Sequence, residues 1–165
     1  GSYESPEALR HLEGLVDIYL PDLKYFSPEL STSYSHAPDY FEAACAAIAE
    51  MYRQVGNPVI NEDTGLMQRG LIVRHLLLPG QTKDSKKILR YLHETYGDHI
   101  YISIMNQYTP LKQVANIKEL NRKITKREYN KVIDYAIELG IENAFIQEGA
   151  TAKESFIPEF DYEGV

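Results

Sequence analysis

The chain has 165 residues, 44% of them hydrophobic, a formal net charge of −7 and a single cysteine. That length fits one domain, residues 1–165, or a piece of a larger protein. The lone cysteine excludes an internal disulfide, and the acidic balance with dispersed Lys and Arg argues against nucleic acid as a partner, because phosphate binding needs a basic surface.

No apolar run reaches the roughly eighteen residues that span a bilayer, and no signal peptide opens the chain. A cytoplasmic location without membrane contact is therefore expected. Thirteen tyrosines and no tryptophan give an aromatic set suited to layer boundaries and clefts, since a tyrosine tolerates half-burial.

The predicted elements alternate. Residues 5–13 read as a short helix, with Ser5 as N-cap, Pro6 at the first helical position and Gly14 as the stop. Residues 15–23 read as a buried strand interrupted only by Asp17 and Pro21. A helix follows over residues 38–55, with Phe41, Ala44, Ile48, Met51 and Val55 at helical spacing and Gly56-Asn57-Pro58 beyond it. Residues 57–70 look like a small hairpin or ordered loop around Asp63-Thr64-Gly65.

The run from Leu71 to Leu78 is the strongest strand pattern, closed by Pro79-Gly80. A helix starting at Asp84 or Ser85 carries Ile88, Leu89, Leu92 and Tyr96 and stops at Gly97. Ile100–Met105 is a third strand, and a mixed loop follows it. Thr125 and Glu128 form a capping box for the last helix, which carries Val132, Ile133, Ala136 and Leu139 and ends at Gly140. Ala144-Phe145-Ile146 is a short fourth strand, and residues 150–165 form an acidic, partly extended tail.

Strands without a period-two pattern, alternating with helices, imply an α/β fold with parallel strands covered by helices. No Gly-rich phosphate loop follows any strand, so a (β/α) barrel fits better than a doubly wound sheet. Four strands cannot close an eight-stranded barrel, which leaves a half-barrel.

Polar residues gather at the strand ends, where parallel α/β folds place their sites. Strand one gives Asp22 and Lys24, strand two Arg74 and His75, strand three Asn106, Gln107 and Tyr108, and the last strand Gln147 and Glu148. Asp22 and Lys24 are two apart and point the same way in a strand. They either grip a zwitterionic ligand or neutralise each other. Arg74, inside the most apolar strand, either forks a carboxylate or phosphate or pairs with a helix acid. His75 points the other way, as a hydrogen-bonded packing residue.

His93, Glu94, Asp98 and His99 match no zinc spacing and read as a solvated face, and Cys45 reads as a small packing residue. Lys24 also suits the Schiff-base lysine of an aldolase or lyase, although the neighbouring Asp22 opposes the lowered pKa that chemistry needs. A binding module that keeps the fold without chemistry is the third reading.

Four segments carry a resemblance. They are Asp17–Tyr25, Ile72–Gly80, Ile104–Pro110 and Phe145–Gly149. Together they resemble radical S-adenosylmethionine proteins, and within these the pyruvate formate-lyase activating enzyme-like group. The resemblance runs from Tyr3 to the end and implies the C-terminal half of a partial (β/α)6 barrel. The family's CxxxCxxC loop for a [4Fe–4S] cluster would lie upstream, so the cluster belongs to a longer parent and this chain alone is expected to be inactive.

The parent's implied activity is the oxidoreductase chemistry of that family. S-adenosylmethionine is cleaved reductively to a 5′-deoxyadenosyl radical, which abstracts hydrogen from a glycine of a partner glycyl-radical enzyme. By resemblance Asp22 and Lys24 match the Asp-x-Lys motif beside the cofactor, with Asp22 also near a monovalent cation, and Arg74 matches an arginine near the sulfonium and carboxylate. Asn106, Gln107 and Tyr108 match the adenine-contact region, with Tyr108 as the stacking residue. A half-barrel would leave an open strand edge, so self-association through that edge is expected.

Overall fold

The computed structural model describes residues 2–110 and 116–147. In chain order the elements are α1 (Pro6–Arg10), β1 (Ile18–Tyr19), α2 (Pro28–Ser35), α3 (Tyr40–Val55), β2 (Val59–Ile60), β3 (Met67–Leu76), α4 (Thr82–Tyr96), a 3-10 turn (Gly97–His99), β4 (Tyr101–Met105), α5 (Lys126–Leu139) and β5 (Ala144–Ile146). β1, β3, β4 and β5 lie side by side in that order, each pair parallel, and β2 joins the start of β3 antiparallel. The expected α/β fold is present. Glu148, Gly149 and the acidic tail lie outside the described residues.

Local chemistry explains most boundaries. Ser5 Oγ accepts the Ala8 N–H at 3.2 Å and Pro6 opens α1. The capping box at Thr125 and Glu128 is formed on both sides. Glu128 reaches further, accepting the Gly80 N–H at 2.8 Å, so the start of α5 is tied to the turn that precedes α4.

Three elements differ from the sequence reading. β1 is only two residues long, because Pro21 has no N–H for the ladder. Pairing resumes beyond it: the Arg74 N–H donates to the Pro21 carbonyl at 2.8 Å, and the Leu23 N–H donates to the Arg74 carbonyl at 2.9 Å. The hairpin region and the strong strand fuse into one ten-residue β3.

Gly70 marks where β3 passes from β2 to β1. Its φ is +145°, and a Cβ there would lie 3.1 Å from Pro58 Cα. α2 has no counterpart in the sequence reading, since its eight residues carry no strong apolar stripe. Ser27-Pro28-Glu29 starts it and His36, with φ +54°, ends it.

One face of the sheet holds the core. Leu71, Val73 and Leu77 of the β3 segment, with Ile102 and Ile104 of β4, are essentially inaccessible and share a cluster with Ile48 of α3, Leu89 of α4 and Val132 of α5. Burying a side chain of this kind contributes about 1.5–3 kcal/mol. Of the residues between them, which point to the other face, Ile72 is buried and Arg74, Leu76, Ser103, Met105 and Phe145 are half-buried. The sheet therefore presents a covered face to its helices and a half-open face elsewhere.

Candidate functional site

The half-open face carries the predicted site. Strand register sets one row across it: Asp22 opposite Arg74, Arg74 opposite Ser103, and Ser103 opposite Phe145. Burial alternates residue by residue from Pro21 to Phe26, with Leu23 and Tyr25 buried and Asp22 and Lys24 half-buried. Lys24 thus shares the side of Asp22.

Arg74 and Asp22 form an ion pair, with the terminal guanidinium nitrogen 2.7 Å from Asp22 Oδ1. This corrects both structural alternatives read from sequence. Asp22 is neutralised by Arg74 rather than by Lys24, and Arg74 pairs across the sheet rather than with a helix acid. Register explains the outcome, since adjacent parallel strands bring these two positions opposite each other. Lys24 makes no ion pair among the described residues.

Two polar atoms at this rim are buried without a partner among the described residues, Arg74 Nε and Gln147 Oε1. Buried donors and acceptors ordinarily find partners. Arg74 also keeps a side-chain exposure of 42%, against 18% for Asp22. The guanidinium is held on one side and accessible on the other.

Tyr40 supports the strand end from α3. The Lys24 N–H donates to its hydroxyl at 3.0 Å, and that hydroxyl donates to the Asp22 carbonyl at 3.2 Å. Burial pushes the Tyr40 phenol well above its ordinary pKa, so it remains a neutral donor. The next segment is pinned by Asp84, in the first turn of α4. Its carboxylate accepts the Phe26 N–H at 2.8 Å and the Ser27 N–H at 3.0 Å.

The third-strand residues separate into different roles. Asn106 donates from Nδ2 to the Gln147 carbonyl at 3.1 Å, bridging the ends of β4 and β5. Gln107 is exposed. Tyr108 donates its hydroxyl to the Leu120 carbonyl at 2.9 Å, and its pKa is raised by burial and then by neighbouring Tyr25 and Tyr34. Its hydroxyl is thereby committed to the loop before α5.

His75 lies on the covered face, as the sequence reading placed it. Its Nδ1 is 2.7 Å from the Leu23 carbonyl and its Nε2 is 2.9 Å from Ser85 Oγ. Complete burial lowers its pKa. With both nitrogens engaged, it positions the end of β1 and offers no free base to the rim.

Sequence reasoning missed Tyr40 and Asp84 as organisers of this site. Asp84 carried a visible signal as an acid at a helix start, but nothing in the local pattern points to Phe26 and Ser27. Tyr40 lies 18 residues from the carbonyl it contacts, and no periodicity links them.

Chemically, the rim offers a half-exposed guanidinium, an ammonium with no ion pair among the described residues, a carboxylate and the apolar side chains of Leu76, Met105 and Phe145. That set suits a ligand with an amino-acid-like charged end and an apolar or aromatic remainder. A monovalent cation at Asp22 would share its carboxylate with Arg74. The chain does not fit a [4Fe–4S] cluster by itself: its one cysteine, Cys45, is half-buried on α3. Among the described residues no group of three or more His, Cys, Asp or Glu side chains is placed to hold a metal ion, and no helix is long and apolar enough to cross a membrane.

Comparison with known proteins adds one relationship. The chain is similar to an uncharacterised protein of Methanocaldococcus jannaschii, 25% identical over 136 residues that cover 81% of this chain and 35% of that protein. The chain thus spans about a third of the length of the curated relative it matches. No family model matches it. No solved structure matches it.

Proposed function

We propose that this chain is the C-terminal part of a radical S-adenosylmethionine enzyme of the pyruvate formate-lyase activating enzyme-like group. In this reading its rim holds the methionyl end of the cofactor. The observation that carries the reading is the Asp22–Arg74 pair, set opposite each other on adjacent strands with Arg74 Nε unpaired and Lys24 on the same side. Arg74 would meet the cofactor carboxylate through the exposed part of its guanidinium, and Asp22 would hold the guanidinium in place. Lys24 would add a second positive charge beside that carboxylate, and Tyr108 would border the adenine.

The order β1-β3-β4-β5, with the helices' buried residues in one cluster on one sheet face, supports half of a partial (β/α)6 barrel whose lumen side is the half-open face. Leu20, exposed at 51% beside β1, supports the further reading that this edge is covered in the intact assembly, by missing strands or by a second copy. In the parent, a cluster held by cysteines outside this chain would supply the reductive cleavage. A glycyl-radical enzyme would be the protein substrate. The chain alone supplies only binding and orientation and has no activity.

The direct test is a titration of the isotope-labelled chain with S-adenosylmethionine, followed by amide chemical shifts. Weak binding is expected, with shifts centred on Lys24, Arg74 and Ser103 and lost in Arg74→Met. Absence of shifts at millimolar cofactor, or shifts confined to the helical layer, would refute the assignment.

A further inference from the structure

Lys and Arg look scattered in the sequence, but the fold collects many of them. Seven of the seventeen lie on α4 and α5, in a chain whose net charge is −7. α4 and α5 pack together, and the Glu128–Gly80 hydrogen bond sets their N-terminal ends side by side. Lys83, Lys86 and Arg90 follow one another at helical spacing along α4. Arg127, Lys131 and Tyr135 do the same along α5.

Tyr135 is where the two rows meet. The Lys86 ammonium sits 4.8 Å from its ring centre and the Arg90 guanidinium 5.8 Å from it. Arg90 Nε also donates to the Tyr135 hydroxyl at 2.8 Å. Among the described residues, Lys83, Lys86, Arg90, Arg127 and Lys131 have no carboxylate within 4.0 Å. Both helices add the positive end of their dipoles on this side. Of the acids on these helices, Asp84 and Glu128 sit in the first turns, Asp84 on the Phe26 and Ser27 amides and Glu128 on Arg122, Thr125 and the Gly80 amide, while Glu94, Asp134 and Glu138 fall in the second halves.

We propose that the α4–α5 groove is a docking surface for an acidic segment or face of another protein. Two observations favour carboxylates over nucleic acid. The aromatic ring at the centre is already engaged by Lys86 and Arg90, which leaves no free stacking platform for a base. The cationic stripe is also confined to two helices, while residues 1–75 are net acidic and would repel an extended polyanion. A compact set of carboxylates matches such a stripe in size and sign. The inference is independent of what the strand-end rim binds.

The test uses a fluorescent oligoglutamate peptide at low ionic strength, with short duplex DNA and phosphatidylserine vesicles in parallel. Lys131→Glu and the double variant Arg90→Glu/Lys131→Glu are compared with Arg10→Glu, a reversal of the same sign on α1. Circular dichroism checks that each variant is folded.

The peptide is expected to bind the wild-type chain, to lose about tenfold in affinity with the double variant and to be unaffected by Arg10→Glu. Equal effects of Lys131→Glu and Arg10→Glu would overturn the proposal. So would DNA or vesicle binding that is tighter than peptide binding and equally sensitive to the double variant. Salt-sensitive self-association in sedimentation, lost in the double variant, would identify a second copy as the occupant and overturn it as well.

Discussion

Asp84 offers a sharp test of how the rim is built. It is 7% exposed and holds two consecutive backbone amides, Phe26 at 2.8 Å and Ser27 at 3.0 Å, just beyond Lys24. A hydrogen bond to a charged acceptor contributes about 1.5–3 kcal/mol, and partial burial of the amides favours the lower end, so the two together contribute about 3 kcal/mol. Its place in the first turn of α4 adds about 0.5 kcal/mol through the helix dipole. Asp84→Ala should then destabilise the chain by about 3.5 kcal/mol, and Asp84→Asn, which keeps one acceptor oxygen, by about half that. With a urea m-value of about 2 kcal/mol/M, the alanine variant lowers the unfolding midpoint by roughly 1.7 M. Hydrogen exchange at Phe26 and Ser27 should accelerate in both variants, more in alanine. Equal midpoints for the two variants, or an alanine cost under about 1 kcal/mol, would show that Asp84 does not clamp this loop.

Four further outcomes follow from the same structure. Arg74→Met should cost under about 1 kcal/mol by urea unfolding, because the ion pair is partly solvent-screened, while removing the shifts that the proposed cofactor binding predicts. Gly70→Ala should destabilise by about 2 kcal/mol, since its backbone conformation and the approach of Pro58 both oppose a Cβ; a neutral effect would show that β3 relaxes there. Burial depresses the His75 pKa in the folded chain, so the unfolded chain takes up the proton first; stability should be full above about pH 6.5 and fall below it, and His75→Gln should flatten that slope. Hydrogen bonds from Arg53 and then Gln54 lower Glu50 to about 2, so its contribution is present above the ordinary carboxylate range and lost as pH falls towards 2; the gap between the wild type and Glu50→Gln in urea midpoint should close over that interval.

What could be read in the sequence followed from local chemistry. The capping box at Thr125, the stop at Gly97 and the apolar stripe of α4 act within a few residues, and each appears close to where it was expected. The opposite orientation of Arg74 and His75 followed from strand alternation alone. The pairing of Asp22 with Arg74 did not, because it depends on register between β1 and β3, and Pro21 breaks the regular strand where that register is set. α2 escaped because neither its apolar content nor its period stands out, and its start is held from a distance by Asp84.

The same contrast explains the two surfaces that the fold creates. A parallel strand needs helices on one face, and burying Leu71, Val73 and Leu77 there sends Arg74 and Leu76 to the other. The rim is therefore a consequence of the core: moving the register by one residue would bury the arginine and expose the valine. On the outer layer the helices bury Leu89 and Val132, and that rotation carries Lys86, Arg90 and Lys131 outward into a common groove. Charges far apart in sequence become neighbours because apolar residues between them have been used to build the core. A variant that rotates α5, such as Val132→Lys, should therefore disrupt packing and the basic groove together, whereas Lys131→Glu should alter the groove alone.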